Sequence, residues 1–186
     1  DDTLERTTNG RGHFRDHALP ALRALDAGDG ETIPLLDEVL VLTRERVGLN
    51  IEVKDPGIAE QVIDVALAAT ERCPAWRARI LLSSFDVATS AALAAARGPM
   101  AFGLLYEEPF AAALARALAL RAFSLHMPLR DLAAADVARA HAAGLVVYVY
   151  TVNTPADIAR CREAGVDGVF SDYPDRVLAA LGRANA

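Results

Sequence analysis

In the stretch GLNIEVKDPG, residues 48–57, polar side chains recur at every second position: Asn50, Glu52 and Lys54. On an extended chain these three share one face, and Ile51 and Val53 take the other. Two opposite charges thus stand near the C-terminal end of an apolar-backed strand, where a lysine could hold a single anionic group. A half-exposed strand of no function shows the same alternation, so the rest of the chain must decide. His126 shares a strand face with Ser124, with Phe123 and Leu125 opposite, and a histidine at a strand end has the chemistry of a general acid or base. His13, His17 and His141 fall in an opening loop or late in a helix, where solvated roles are expected.

The elements that must position these residues alternate from residue 48 onward. GLNIEVK reads as a strand and GIAEQVIDVALAATERC as an amphipathic helix. ARILLSSF is followed by the helix DVATSAALAAAR with Asp86 as N-cap, and MAFGLLYE by PFAAALARALA with Pro109 in its first turn. AFSLHM precedes the helix RDLAAADVARAHAAG, closed by Gly144, and LVVYVYTV precedes TPADIARCREAG, with Thr154 as N-cap and Pro155 first. GVFSD and YPDRVLAALGRA complete six β-α units. Such alternation calls for a parallel sheet with crossover helices, either a (β/α)₈ barrel or an open doubly wound sheet. No G-x-G-x-x-G follows the first strand, which weakens the dinucleotide-binding open sheet. A barrel gathers chemistry at the C-terminal ends of its strands. The strand ends here are polar in that way: Glu52/Lys54, Ser83-Ser84, Glu107, His126, Tyr150-Thr151-Asn153 and Ser171-Asp172. Residues 1–47 read as a long connection and one helix, IPLLDEVLVLTRERVG, introduced by Thr32 and Pro34 and ending at Gly48. The whole of 1–186 reads as a single domain.

The 186 residues are 53% hydrophobic with a net charge of −6, enough for one core and unlike an extended phosphate-backbone binder, so no nucleic-acid partner is expected. Cys73 and Cys161 lack metal-site spacing and read as structural thiols, suited to a reducing, cytoplasmic setting. No apolar run is long enough to span a bilayer. The chain opens on Asp1-Asp2-Thr3 without Met, which leaves room for upstream residues. The Arg- and Ala-rich, Lys-poor composition points to a GC-rich bacterial gene.

DDTLERTTNGRG, LDAGDGETIPLLDEVL, LNIEVK, ILLSSFD, VYVYTVN and GVDGVFSDYPD, in this order over essentially the whole chain, resemble the glycerophosphodiester phosphodiesterases. That resemblance implies a metal-dependent (β/α)₈ barrel of the phosphatidylinositol-phosphodiesterase-like type, which hydrolyses glycerophosphodiesters to an alcohol and glycerol 3-phosphate. It also implies that six of eight units are present. The family's His-Arg-Gly, its Glu-x-Asp and the His of its His-Asp pair would lie before Asp1, which itself matches the Asp of that pair. No catalytic residue is therefore assigned within the chain.

The same resemblance makes Glu52 a ligand of Ca²⁺ or Mg²⁺ and Lys54 a contact to substrate phosphate. Tyr150 stands where the family usually has another aromatic, most often Trp. Tyr150 and Phe85 would bound the pocket, and His126 would line the pocket or fill the core. Asp172 is expected to cap the last helix. In the complete site the implied chemistry is in-line displacement at phosphorus. The rival reading is a non-enzymatic binding scaffold derived from the family, whose open sheet edges would call for a partner segment, an oligomer or a rearranged sheet.

Overall fold

The computed structural model describes residues 2–71 and 73–183. Asp1, matched above to the His-Asp pair, lies outside the described residues. Six parallel strands, β1 (Leu49–Glu52), β2 (Ile80–Ser84), β3 (Ala101–Leu105), β4 (Ser124–Pro128), β5 (Val146–Tyr150) and β6 (Gly168–Val169), form one sheet in sequential order. A doubly wound sheet reverses direction partway. This one advances by one neighbour each time, curling into the wall of a barrel with helices outside.

Two short helices, α1 (Leu19–Arg23) and α2 (Leu36–Thr43), precede the sheet. Between β1 and β2 lie α3 (Ala59–Thr70) and the single turn α4 (Pro74–Arg77). The remaining connections are α5 (Val87–Ala96), α6 (Phe110–Ala119), α7 (Ala134–Ala142) and α8 (Pro155–Ala164), and α9 (Pro174–Ala180) closes the chain. The helices α3 and α5 to α8 turn buried apolar residues into the core over the sheet. In α3 the stripe is Ala59, Ile63, Ala66 and Thr70, all buried at helical spacing. It meets the outward strand face: Val53, Ile80, Leu82, Phe102, Leu104, Leu125, Met127, Val147 and Val149, in one continuous core.

Local chemistry sets several boundaries as the sequence indicates. The Asp86 carboxylate accepts from Thr89 N and from Thr89 Oγ1, each at 2.7 Å, to start α5. Thr154 Oγ1 accepts from Asp157 N at 3.1 Å, Pro155 opens α8, and Gly165 ends it in the left-handed region at φ 77°. Other boundaries differ. The helix expected to run to Gly48 stops at Thr43, whose hydroxyl donates back to Val39 O; the chain then turns so that Val47 O accepts from the buried Trp76 Nε1 at 3.0 Å. Before α7, residues 129–131 form a separate 3₁₀ turn, which sets Leu129 and Leu132 three apart against the core. Asp172 does not cap α9: the N-cap is Tyr173, without a side-chain bond, and the Asp172 carboxylate instead accepts from Asn153 Nδ2 at 2.7 Å.

The opening connection is folded. Leu4 and Leu22 are buried, and the Asn9 turn is joined to the Asp26 turn by reciprocal bonds: Asn9 N to Asp26 O and Asp26 N to Asn9 Oδ1, both 2.9 Å. Two motifs that are separate in sequence therefore form one clasp.

Candidate active site

Pleating decides which side chains reach the concave face. On β1, Ile51 and Val53 pack toward the helices, so Asn50, Glu52 and Lys54 face the other way. The neighbour confirms the face: Ser83 Oγ on β2 donates to Asn50 Oδ1 at 3.0 Å. At the C-terminal rim, Lys54 Nζ lies 3.9 Å from Glu52 Oε1, with the two side chains 49% and 31% exposed. Both are therefore held at an accessible mouth, neither beneath the helices nor free in bulk water. Lys54 is the single lysine of a chain with eighteen arginines. A compact ammonium stands at this one position in an otherwise guanidinium-rich protein.

A cleft of about 630 Å³ opens over this pair, lined by Glu52, Lys54, Ser84, Phe85 and Asp86 from the strand ends and by Asp2, Thr3 and Arg6 from the opening segment. A second, of about 740 Å³, shares Asp2, Glu52 and Lys54 and extends past His13 and Phe14 toward Ile58. An ion pair, Arg15 to Asp55 at 2.8 Å, fastens the opening segment beside it. The Phe85 ring meets the Tyr150 ring edge-on at 5.6 Å. The Tyr150 hydroxyl donates to Tyr106 O at 2.6 Å, and burial first, with Glu107 adding, raises its pKa above the usual tyrosine range. The Tyr150–Thr151 peptide is cis.

His126 lies elsewhere. It is fully buried on the concave face below the rim, its ring 5.5 Å from Tyr148 and 5.1 Å from Phe170. Its Nε2 pairs with Ser124 Oγ at 2.9 Å, and Nδ1 has no partner among the described residues. Burial pushes its pKa down to about 4, so the ring is neutral at neutral pH. Gly103 on β3 makes room for it: a Cβ there would strike the imidazole and come 2.6 Å from Ser124 Oγ.

The structure thus brings Glu52, Lys54 and Phe85 to one cleft, with Tyr150 one ring contact away and His126 packed in the barrel interior. Sequence reasoning missed the rim positions of Arg6 and His13, and read Asn153 only as a polar strand end. Arg6 was visible within LERTTNG; nothing local marked His13. Asn153 ties the β5 and β6 ends together. Its amide also accepts from Asp172 N at 2.9 Å, and its carbonyl accepts from Arg176 Nη1 at 2.8 Å. Among the described residues no three His, Cys, Asp or Glu side chains converge as a metal cage. No described helix is long and apolar enough to cross a membrane.

A parallel barrel wall with a carboxylate–ammonium pair at the strand ends defines a class of α/β enzyme that works at its C-terminal rim. The sequence pattern of the glycerophosphoryl diester phosphodiesterase family matches residues 1–176, and the chain belongs to that family. It is 31% identical over 191 residues to a glycerophosphodiester phosphodiesterase of Caldanaerobacter subterraneus subsp. tengcongensis, an alignment covering 96% of this chain and 76% of the relative. Among solved structures, a phosphodiesterase of Oleispira antarctica in complex with the product sn-glycerol-3-phosphate superposes with TM-score 0.84 at 30% identity, covering 98% of this chain and 77% of that one. A glycerophosphodiester phosphodiesterase of Thermotoga maritima superposes with TM-score 0.72 at 25% identity, covering 98% and 77%. Six units matched to three-quarters of such barrels agree with six of eight.

Proposed function

We propose that this protein is a metal-dependent hydrolase that cleaves glycerophosphodiesters to an alcohol and sn-glycerol 3-phosphate, with residues 1–186 as a single domain of that enzyme. The observation that carries the reading is the Glu52–Lys54 pair at an open rim cleft, in a chain of this family. Lys54 places a positive charge where a phosphodiester oxygen would sit, and it stabilises the added negative charge of a pentacoordinate phosphorus. Phe85 and Tyr150 wall the side of the cleft where glycerol carbons would pack. His126, buried and neutral, fixes the interior beneath the site and moves no proton at the rim.

The proposal includes Ca²⁺ or Mg²⁺, with Glu52 as one oxygen ligand. Such ions take six or more oxygens. The described residues offer no converging set, so on their own they do not fit the ion. A cytoplasmic location is part of the reading, supported by the two free cysteines. A homo-oligomer is part of it too.

The test is release of glycerol 3-phosphate from glycerophosphocholine with Ca²⁺ or Mg²⁺. Turnover is expected in a form that also carries the family's His-Arg-Gly, Glu-x-Asp and His upstream of Asp1, with a loss of about 10²–10³-fold in Glu52→Gln and a similar loss on chelation; residues 1–186 alone, with no catalytic residue assigned, are expected to release none. Absence of release from that upstream-extended form favours the second reading, a binding scaffold. Carbon-13 methylation of Lys54, the single lysine, then gives one side-chain signal. A shift of that signal with added glycerol 3-phosphate distinguishes binding without cleavage from no binding.

A further inference from the structure

The opposite ends of the strands, away from Glu52, carry a second polar cleft. Its volume is about 630 Å³; Arg79, Arg97 and Arg121 line it, with Met100, Phe123 and Tyr148 as its apolar walls. The three arginines come from three successive helix-to-strand connections: Arg79 just before β2, Arg97 at the end of α5 and Arg121 just after α6. Arg97 Nη2 donates to Arg121 O at 3.2 Å, which joins two of these connections, and Arg79 Nη1 donates to Glu45 O at 3.4 Å.

Among the described residues no acidic side chain lines the cleft. Among the described residues none of the three guanidiniums has a carboxylate within 4.0 Å, whereas Arg15, Arg23, Arg116, Arg130, Arg139 and Arg160 each have one. A helix C-terminus attracts an arginine through its free carbonyls. Here Arg79 and Arg97 each give one hydrogen bond to a carbonyl just past a helix end, out of the five N–H groups a guanidinium carries. That attraction does not account for three cations lining one concavity in a chain of net charge −6. An anion set among them would relieve their mutual repulsion.

We propose that this cleft is a binding site for a phosphomonoester dianion carrying a short carbon body. Guanidiniums recognise phosphate oxygens through forked pairs of N–H bonds. Phe123, 47% exposed despite its size, and Tyr148 supply surface for the carbons. Two negative charges suit three cations better than the single charge of a diester, which sets this site apart from the rim. The concave shape selects a small soluble ligand over a flat lipid surface.

Calorimetric titration with inorganic phosphate and with sn-glycerol 3-phosphate tests this on three proteins: wild type, Glu52→Gln/Lys54→Met and Arg97→Gln/Arg121→Gln. Phosphate is expected to bind the first two alike, with Kd on the order of 1 mM, and the arginine variant about tenfold more weakly or worse. Arg97→Lys/Arg121→Lys, which keeps the charge and tests for damage to the fold, is expected to recover part of the affinity. No binding by the wild type, equal affinity in the Arg→Gln variant, or a loss confined to the Glu52/Lys54 variant overturns the site. Retention on phosphatidylglycerol vesicles without binding of free phosphate overturns it in favour of a membrane surface.

Discussion

His126 shows how one side chain gives the whole protein a pH dependence. Its folded pKa of about 4 lies below the unfolded value of about 6.5, so as pH falls the unfolded chain takes up the proton first. Stability is complete above about pH 6.5 and declines between there and pH 4, by up to about 3 kcal/mol. Urea midpoints at about pH 7.5 and about pH 5 should converge in His126→Phe; an undiminished difference would assign the effect to another group. The carboxylates held below their usual range by hydrogen bonds, Asp86 and Asp157 through Thr89 and Thr154 and Glu38 through Leu35 N, lose their contributions only at lower pH. Gly103→Ala should cost about 1–3 kcal/mol in the same assay, because a methyl group there has only the buried imidazole and Ser124 to displace. Alternation along LNIEVK was enough to put Glu52 and Lys54 on one face. Depth was not legible: Ser124 and His126 show the same period whether they sit at the rim or in the interior, and only Tyr148 and Phe170 closing over the ring decide it.

At the scale of elements, helix starts were readable because a cap is a contact over three residues, as at Asp86 and Thr154. The joint between Asn153 and Asp172 was not readable, since it exists only once β5 and β6 are side by side. This joint is expected to hold the two strand ends in register. Asn153→Ala should lower stability by about 1–3 kcal/mol, and Thr154→Ala by about 1 kcal/mol, both read as shifts in thermal midpoint. A smaller loss at Asn153 than at Thr154 would show that solvent replaces its bonds. The overrun assigned to α2 came from apolar residues as far as Val47. In the structure Val41 and Leu42 are largely exposed, and the chain leaves the helix to meet Trp76.

At the scale of the molecule, the β-α alternation made a parallel barrel legible, while the closeness of the opening segment to the end of β1, fastened by the Arg15–Asp55 ion pair, was not. The core runs without interruption from Leu40 through Trp76 to Cys161. The sheet should therefore unfold as one unit, so emission from the single tryptophan, Trp76, and far-ultraviolet circular dichroism should report coincident transitions in urea. Separated midpoints would divide the wall into two. The Asn153 joint has a further consequence for anyone recombining related sequences. A crossover placed between residues 153 and 172 would take the amide from one parent and its carboxylate partner, with Arg176, from the other. Chimeras that inherit 150–176 as an undivided block should survive more often than those cut inside it.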